Sequence, residues 1–385
     1  MSDSLPTVWP ADPHTLAKHR ILTGYLDAWM PILANQSRKV GSVDRPIKYI
    51  DGFAGPGIYE NGEKGSPVLA LDAAREHSQQ FPVPVEFVFI ENDRARWEVL
   101  KRELGRYPAR SRNTILQEPI LGDCETALNR MLAEHDRRKQ PFGPALVFLD
   151  QFGYSGVSMS LLKRILSNRQ CEVLTFLFWR DLNRFITDSN KAEAIRRAFG
   201  GDGWMPAREL SGDKRAKFMH EMYVSALREQ GHARYVWPFS MCDFTDQLLY
   251  WLFFCSNSLD GLRHMKRAML KVDGTGTFTF SDRDGLGQMP LCRSIDDGQL
   301  GDRICRHFAR RTVTVDEIEE YVLTETPCVN FKKALGALEK DGVARAVSAP
   351  AGRRPCTYPE KYGSLRLQFV DRLLLGPGAR NKGEK

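Results

Sequence analysis

Four short apolar runs in the first 150 residues each end at a carboxylate, and this repetition constrains the fold more than any single motif. The run 47–50 closes on Asp51, 85–90 on Glu91, 115–121 on Gly122 and Asp123, and 145–149 on Asp150, Gln151, Phe152 and Gly153. Runs this short, rich in β-branched and aromatic residues, read as buried strands. Segments of helical period lie between and after them, at 67–79, 94–104, 125–139, 158–167 and 191–199, with a fifth strand expected over 173–179. Strands alternating with helices imply a doubly wound parallel sheet with right-handed crossovers. The strand ends then meet on one edge, the side on which such sheets bind nucleotides.

The first of these ends carries the string Tyr49-Ile50-Asp51-Gly52-Phe53-Ala54-Gly55-Pro56-Gly57. Small residues after a strand let the backbone turn tightly or approach a ligand closely, although such a glycine cluster also serves simply as a turn. Glu91 ends the second strand, where an acidic side chain can accept from both hydroxyls of a ribose. It lies 34 residues past Gly57, more than the usual spacing of about 20, and a loop over 59–66 with Gly62 and Gly65 accounts for the excess. Ser66 is expected to cap the following helix, with Pro67 in its first turn.

Upstream, residues 14–35 have a helical period, with Leu16, Ile21, Leu22, Tyr25, Leu26, Trp29, Met30 and Leu33 on one broad face. Lys18 and His19 flank that face, and a solvated basic edge is expected of them. After a helix over 214–230, the runs 234–243 and 247–257 are separated by too few residues for a helical crossover, so they must pair as an antiparallel hairpin, followed by a helix over 259–271. A parallel sheet finished by such a hairpin is the layout of class I S-adenosylmethionine-dependent methyltransferases. The missing G-x-G-x-x-G and the hairpin disfavour a nicotinamide enzyme.

The 385 residues suffice for two or three domains. Hydrophobic residues make up 42% and charged residues 27%, an ordinary globular balance without a membrane-spanning run, so no membrane association is expected. The polar start is not a signal peptide, and a cytoplasmic location is expected. Eight cysteines are scattered without a C-x-x-C pair, so neither a zinc site nor a disulfide framework is indicated. A net charge of +7 permits a polyanionic partner without requiring one.

Several strings together resemble the three-Cys-motif partner family (TcmP): the glycine string extended through Ile58 and Tyr59, Gly65-Ser66-Pro67, Phe89-Ile90-Glu91-Asn92-Asp93, Phe148-Leu149-Asp150-Gln151-Phe152-Gly153-Tyr154-Ser155-Gly156, and Trp179-Arg180-Asp181-Leu182-Asn183-Arg184-Phe185. The resemblance covers most of the chain. It implies a methyltransferase-like protein using S-adenosylmethionine and a neighbouring cysteine-motif protein as partner. Carried onto this chain, the pattern puts the methionine part of the cofactor against Asp51, Phe53, Ala54, Gly55 and Gly57. The ribose falls on Glu91 and Asn92, and the adenine near Asp123 and Cys124. Asp51, Glu91 and Asp123 also read as helix N-caps.

In that family the loop at 150–153 is Asp-Pro-Phe-Gly, similar to catalytic loops of amino-group methyltransferases. Asp150 is then the acceptor that orients a target amine, and Phe152 stacks on an extruded base, with Gln151 and Gly153 completing the loop. Phe152 packed in the core is the alternative. Gln151 departs from the proline, whose ring would fix φ. Arg180 and Arg184, expected at the end of the fifth strand, suit a phosphate-bearing substrate or an internal salt-bridge network.

Residues 1–272 are thus expected to form the methyltransferase-like domain, 273–298 a linker, and 372–385 a disordered basic tail. The stretch 299–371 reads as three short helices and two strands flanking a loop, a winged helix. Asn330, Lys332 and Lys333 on its third helix and Arg353 and Arg354 in its wing would face a nucleic-acid backbone, RNA or DNA; a protein-docking role is the alternative. The expected activity is methyl transfer to an exocyclic amine of a nucleobase. A non-catalytic adapter that keeps the fold is the other reading, favoured by Gln151.

Overall fold

A computed structural model describes residues 7–8, 10–39, 45–151, 153, 156–168, 170–273, 276–283, 297–350, 352–358 and 365–370. The chain divides into two compact units, one built on Met1–Asp273 and Phe278–Met289, the other on Gly274–Thr277 and Pro290–Lys385. The expected tail over 372–385 lies outside the described residues.

In the first unit, β1 (Ile47–Asp51), β2 (Val85–Glu91), β3 (Thr114–Leu116), β4 (Ile120–Leu121), β5 (Ala145–Leu149) and β6 (Cys171–Leu177) are parallel. Every residue of β1, β5 and β6 is buried, because helices cover both faces. The antiparallel pair β7 (Tyr235–Cys242) and β8 (Leu248–Ser256) joins β6 through β8, and β9 (Thr279–Ser281), within the stretch expected as a linker, adds a parallel edge strand to β7. The order is β3-β2-β1-β5-β6-β8-β7-β9, with β4 beside β2. This is a mixed α/β unit with a mostly parallel central sheet, and its order reverses between β1 and β5.

The helices are α1 (Pro13–Lys39), α2 (Ser66–Arg75), α3 (Arg94–Leu104), α4 (Cys124–Arg137), α5 (Met159–Leu166), α6 (Trp179–Phe185), α7 (Ala192–Phe199), α8 (Gly212–Glu229) and α9 (Leu259–Val272). Consecutive strand residues point to opposite faces. Phe253 therefore meets Tyr223 of α8 at 5.1 Å while Phe254 meets Tyr25 of α1 at 5.2 Å. So α1 and α8 cover opposite sides of the sheet.

Two expected strands are shorter than the sequence suggests. The run 115–121 breaks into β3 and β4 around Pro119, which has no amide for the ladder. The fifth strand ends at Leu177, and Trp179–Phe185 is helical, with Trp179 and Leu182 buried one turn apart. Arg180 and Arg184 therefore sit on a helix rather than a strand end.

One of the buried ionisable groups lies away from the carboxyl ends of the strands. Glu172 of β6 is buried, accepts from Tyr25 Oη (2.6 Å) and Ser256 Oγ (2.7 Å), and has its pKa raised by burial. Gly261 of α9 packs against this carboxylate so closely that a Cβ there would overlap it.

The second unit contains α10 (Asp297–Phe308), β10 (Thr312–Thr314), α11 (Val315–Glu325), α12 (Lys332–Lys340), β11 (Ala344–Ser348) and β12 (Arg366–Phe369). Its antiparallel sheet has the order β10-β12-β11. Leu300, Ile304, Phe308, Ile318, Val322, Leu335, Leu367 and Phe369 belong to its core. Thr314 and Glu317 form a reciprocal capping box at the start of α11, with Glu317 N donating to Thr314 Oγ1 (3.1 Å) and Thr314 N to Glu317 Oε2 (2.7 Å).

Replacing a helical glycine by alanine ordinarily stabilises by about 1 kcal/mol. Gly261→Ala is expected instead to destabilise by roughly 1–3 kcal/mol through overpacking. Urea unfolding midpoints at constant slope read the sign.

Candidate functional site

The register of the sheet brings the strand ends together. Asp51 pairs with Phe89 on β2 and Phe148 on β5, and Glu91 with Leu121 on β4. Gly122 N donates to the Glu91 carbonyl (2.9 Å), so Asp51, Glu91, Asp123 and Asp150 share one edge.

The turn after β1 is glycine-rich for local reasons. A Cβ on Gly52 would lie 2.5 Å from Cys124 Sγ and 2.8 Å from Leu149 Cδ2, so only glycine lets β1 pass beneath the start of α4. Gly55 and Gly57 have φ of 62° and 75°, the left-handed region. Gly55 N donates to Glu91 Oε2 (2.8 Å), and Asp93 N to Oε1 (2.8 Å). Glu91 thus clamps the turn to β2. Each of its oxygens has engaged one donor and keeps a second lone pair. A Cβ on Gly55 or Gly122 would meet nothing within 4 Å, so the backbone there faces open space.

Asp51 is fully buried. It accepts from Ser66 Oγ (2.6 Å) and Phe53 N (3.1 Å), yet burial, reinforced by Asp150, pushes its pKa up to about 7. Ser66 is not the cap expected from the sequence. Gly65 holds that position, and the Ser66 hydroxyl serves Asp51 instead.

Asp123 and Cys124 begin α4. Asp123 is exposed and accepts from Thr126 N (2.8 Å) as its N-cap, whereas Cys124 is buried and burial raises its thiol pKa. Asn92 is exposed beside Glu91, Ala54 is buried, and Phe53 is half-buried against the core.

Asp150 forms an ion pair with Lys18 of α1. The expectation of a solvated Lys18 is overturned: its ammonium is buried, 5.5 Å from the centre of the Phe176 ring. The inward face of α1 runs through Ala17, Ile21 and Leu22 and carries Lys18 over the strand ends, where Asp150 compensates its charge. His19 is also buried, and burial, with Lys18 next to it, lowers its pKa to about 3, which keeps the imidazole neutral.

Gln151 is buried. Its Nε2 donates to the carbonyl of Phe176 on β6 (3.0 Å), and its Oε1 has no partner among the described residues. Phe53 and Gly156 crowd it, a Cβ on Gly156 lying 3.0 Å from that oxygen and 3.1 Å from the Phe53 ring. Gly153 has φ of 85°; Phe152 lies outside the described residues.

A cavity of about 400 Å³ opens at the same edge, with Gly153, Arg180, Asp243, Tyr250 and Asp282 in its wall. Gly55, Glu91, Asp123 and Asp150 do not line it. His14 lies there too, one turn before Lys18 on α1, a spacing legible in the sequence but not singled out. Tyr250, central on β8, carries no sequence signal that separates it from a core aromatic.

Arg184 is exposed, 5.2 Å from the Phe185 ring centre. In the second unit Asn330, Lys332, Lys333 and Arg354 are exposed. Arg353 is not a free wing cation. It pairs with both oxygens of Glu339 (2.9 and 2.6 Å) and lies 5.0 Å from the Tyr358 ring centre.

Among the described residues no helix is long and apolar enough to cross a membrane, and no group of three or more metal-ligating side chains is gathered. No family model and no curated protein matches the chain. Among solved structures it is similar to a DUF519 protein of Legionella pneumophila, at 10% identity and TM-score 0.34, over 64% of this chain and 86% of that one. It is also similar to the DszA carbon methyltransferase, at 18% identity and TM-score 0.30, over 55% of this chain and 48% of that one. A DUF574 protein of Streptomyces avermitilis is similar at 9% identity and TM-score 0.27, over 60% and 81%. These TM-scores are low, and the fold class rests on the strand order and register.

A buried carboxyl with a pKa near 7 binds its proton more tightly folded than unfolded between about pH 4 and pH 7. The stability it confers is full below about pH 4 and is lost as pH rises through 7. Asp51→Asn is therefore expected to flatten the fall in unfolding free energy over that window, by a few kcal/mol in order of magnitude. Denaturant unfolding of both proteins from pH 4 to 8 measures the difference.

Proposed function

We propose that the chain is an S-adenosylmethionine-dependent methyltransferase of the three-Cys-motif partner type, acting on an exocyclic amine of a nucleobase in RNA or DNA. The observation that carries this reading is Asp150, closing β5 on the edge that also bears the open Gly55 turn and Glu91, with a buried lysine as its partner. The parallel sheet finished by an antiparallel hairpin supports it as well.

The residues present fit the cofactor. Open backbone at Gly55 and Gly122 gives close approach, Glu91 retains lone pairs for ribose hydroxyls, and Gln151 Oε1 is a buried acceptor without a donor among the described residues. The carboxylates of this edge suit a sulfonium cation. In this reading Asp51, Phe53, Ala54, Gly55 and Gly57 hold the methionine part, Glu91 and Asn92 the ribose, and Asp123 and Cys124 the adenine. S-adenosylmethionine supplies a methyl group on a sulfonium carbon, open to in-line displacement.

The chain's part is alignment. Lys18 engages Asp150 Oδ2, which leaves the other carboxylate oxygen to accept from the target amine and turn its lone pair toward the methyl carbon. Phe152 would stack on the base, while Gln151 and Gly153 shape the loop. The second unit, with three helices and a three-stranded sheet, suits a winged helix whose Asn330, Lys332, Lys333 and Arg354 meet a phosphate backbone; within the first unit, Arg180 and Arg184 are the groups proposed to contact phosphate. A cysteine-motif protein is the proposed partner.

The second reading, a non-catalytic adapter, draws on the same loop. Gln151 replaces the family's proline and is tied to β6, and both Glu91 oxygens already serve backbone amides. Calorimetry with S-adenosylmethionine and transfer of labelled methyl to mixed RNA and DNA separate the two: cofactor binding without transfer to polymer or partner favours the adapter.

Glu91→Ala is expected to weaken cofactor binding by roughly 1–3 kcal/mol, since it loses charged hydrogen bonds and frees the Gly55 turn. Asp150→Asn, which leaves a polar group beside Lys18, is expected to keep cofactor affinity and abolish transfer. Full activity in that variant would exclude Asp150 as the acceptor-orienting group.

A further inference from the structure

Tyr250 and Asp282 line the 400 Å³ cavity beside Gly153, and each keeps a buried side-chain oxygen with no partner among the described residues. In Tyr250, which is 2% exposed, that oxygen is Oη; in Asp282, which is 6% exposed, it is Oδ1. Buried hydroxyls and carboxylates without partners are costly, so these two residues are the lining groups with most to gain from a ligand's polar edge. The Tyr250 ring is held by Phe178 at 4.8 Å and by His14 at 5.8 Å, and His14 Nδ1 lies 3.0 Å from Asp282 Oδ2.

Charge narrows the chemistry. The wall carries Asp12, Asp181, Asp243 and Asp282 against Arg180 and His14. An excess of acceptors repels a phosphodiester and would leave an apolar ligand facing desolvated carboxylates. A flat group that donates hydrogen bonds fits, and the volume is within the range of small-molecule sites. Burial, then the charges of Asp150 and Asp282, raise the Tyr250 pKa, so the hydroxyl keeps its proton and can donate as well as accept.

We propose that this cavity is the acceptor-base subsite and that Tyr250 is the residue that reads the base, admitting one whose edge bears an amino group while the phosphates stay outside. The proposal rests on the methyltransferase reading and deepens it. Tyr250 Oη accepts from the amine or donates to a ring nitrogen, and Asp282 Oδ1 takes a further amino hydrogen. Neither group reacts; they position the base whose amine Asp150 orients.

The test is calorimetry on the full chain with nucleosides, the cofactor site filled by S-adenosylhomocysteine. Adenosine is compared with inosine, guanosine with inosine, and cytidine with uridine, with spermidine as a plain cation. In at least one pair the amino-bearing nucleoside is expected to bind about tenfold or more tightly, the scale of one discriminating polar contact. Tyr250→Phe keeps the ring and removes an unpartnered hydroxyl, so its melting temperature and S-adenosylmethionine affinity should match the parent while the nucleoside preference disappears. A merely structural tyrosine would leave that preference intact. Equal binding within every pair, no nucleoside binding, stronger binding of spermidine than of any nucleoside, or a preference that survives Tyr250→Phe would each overturn the proposal. Failure of S-adenosylmethionine itself to bind would instead remove the methyltransferase reading, while cytidine against uridine still reports on the cavity alone.

Discussion

A carboxylate removed from water must find donors or surrender its charge, and this requirement arranges the edge of the first unit. Three buried or half-buried carboxylates end parallel strands there, and each recruits a different segment. Asp51 draws the first residue of α2 through Ser66, Glu91 draws the glycine turn through the Gly55 amide, and Asp150 draws α1 through Lys18. Loop, helix and sheet are thereby joined at one place by polar contacts as well as by the apolar core beneath.

The three solutions are unequal. Glu91 has two backbone amides and Asp150 an ammonium, but Asp51 has only a hydroxyl and one amide, and its carboxyl is held near neutrality. Its pKa of about 7 means that a small change in local potential decides its protonation. A cation brought to this edge would favour the charged carboxylate, and desolvation by a neutral ligand would favour the acid. The fold tolerates a group that costs stability at neutral pH, the kind of local conflict that binding sites retain.

Much of this arrangement is legible in the sequence because it follows from period and spacing. Short apolar runs closed by Asp51, Glu91, Asp123 and Asp150 imply a parallel sheet with its acids on one edge, and the brief gap between the last two long runs implies the hairpin. What could not be read depends on contacts distant in sequence. Lys18 is 132 residues from Asp150, and nothing within α1 tells a buried ammonium from a solvated one. Arg353 looks like a free wing cation until Glu339, 14 residues earlier, is seen to pair with it. Pro119 and the helical Trp179–Phe185 are local features, and closer attention to the missing amide and to the one-turn spacing of Trp179 and Leu182 would have found both strand ends.

Gln151 holds its loop through its side chain. A proline at this position would restrict φ covalently and offer no amide. The glutamine restricts the backbone through its side chain, by a hydrogen bond from Nε2 to the carbonyl of Phe176 on the neighbouring strand. One such bond contributes about 1 kcal/mol net, similar to the gain from a proline's fixed φ, but it is a contact that can be exchanged. The same side chain leaves Oε1 buried with no partner among the described residues, close to Gly156, which a proline could not do. Gln151 thus combines a tether to β6 with a buried acceptor that has no partner among the described residues.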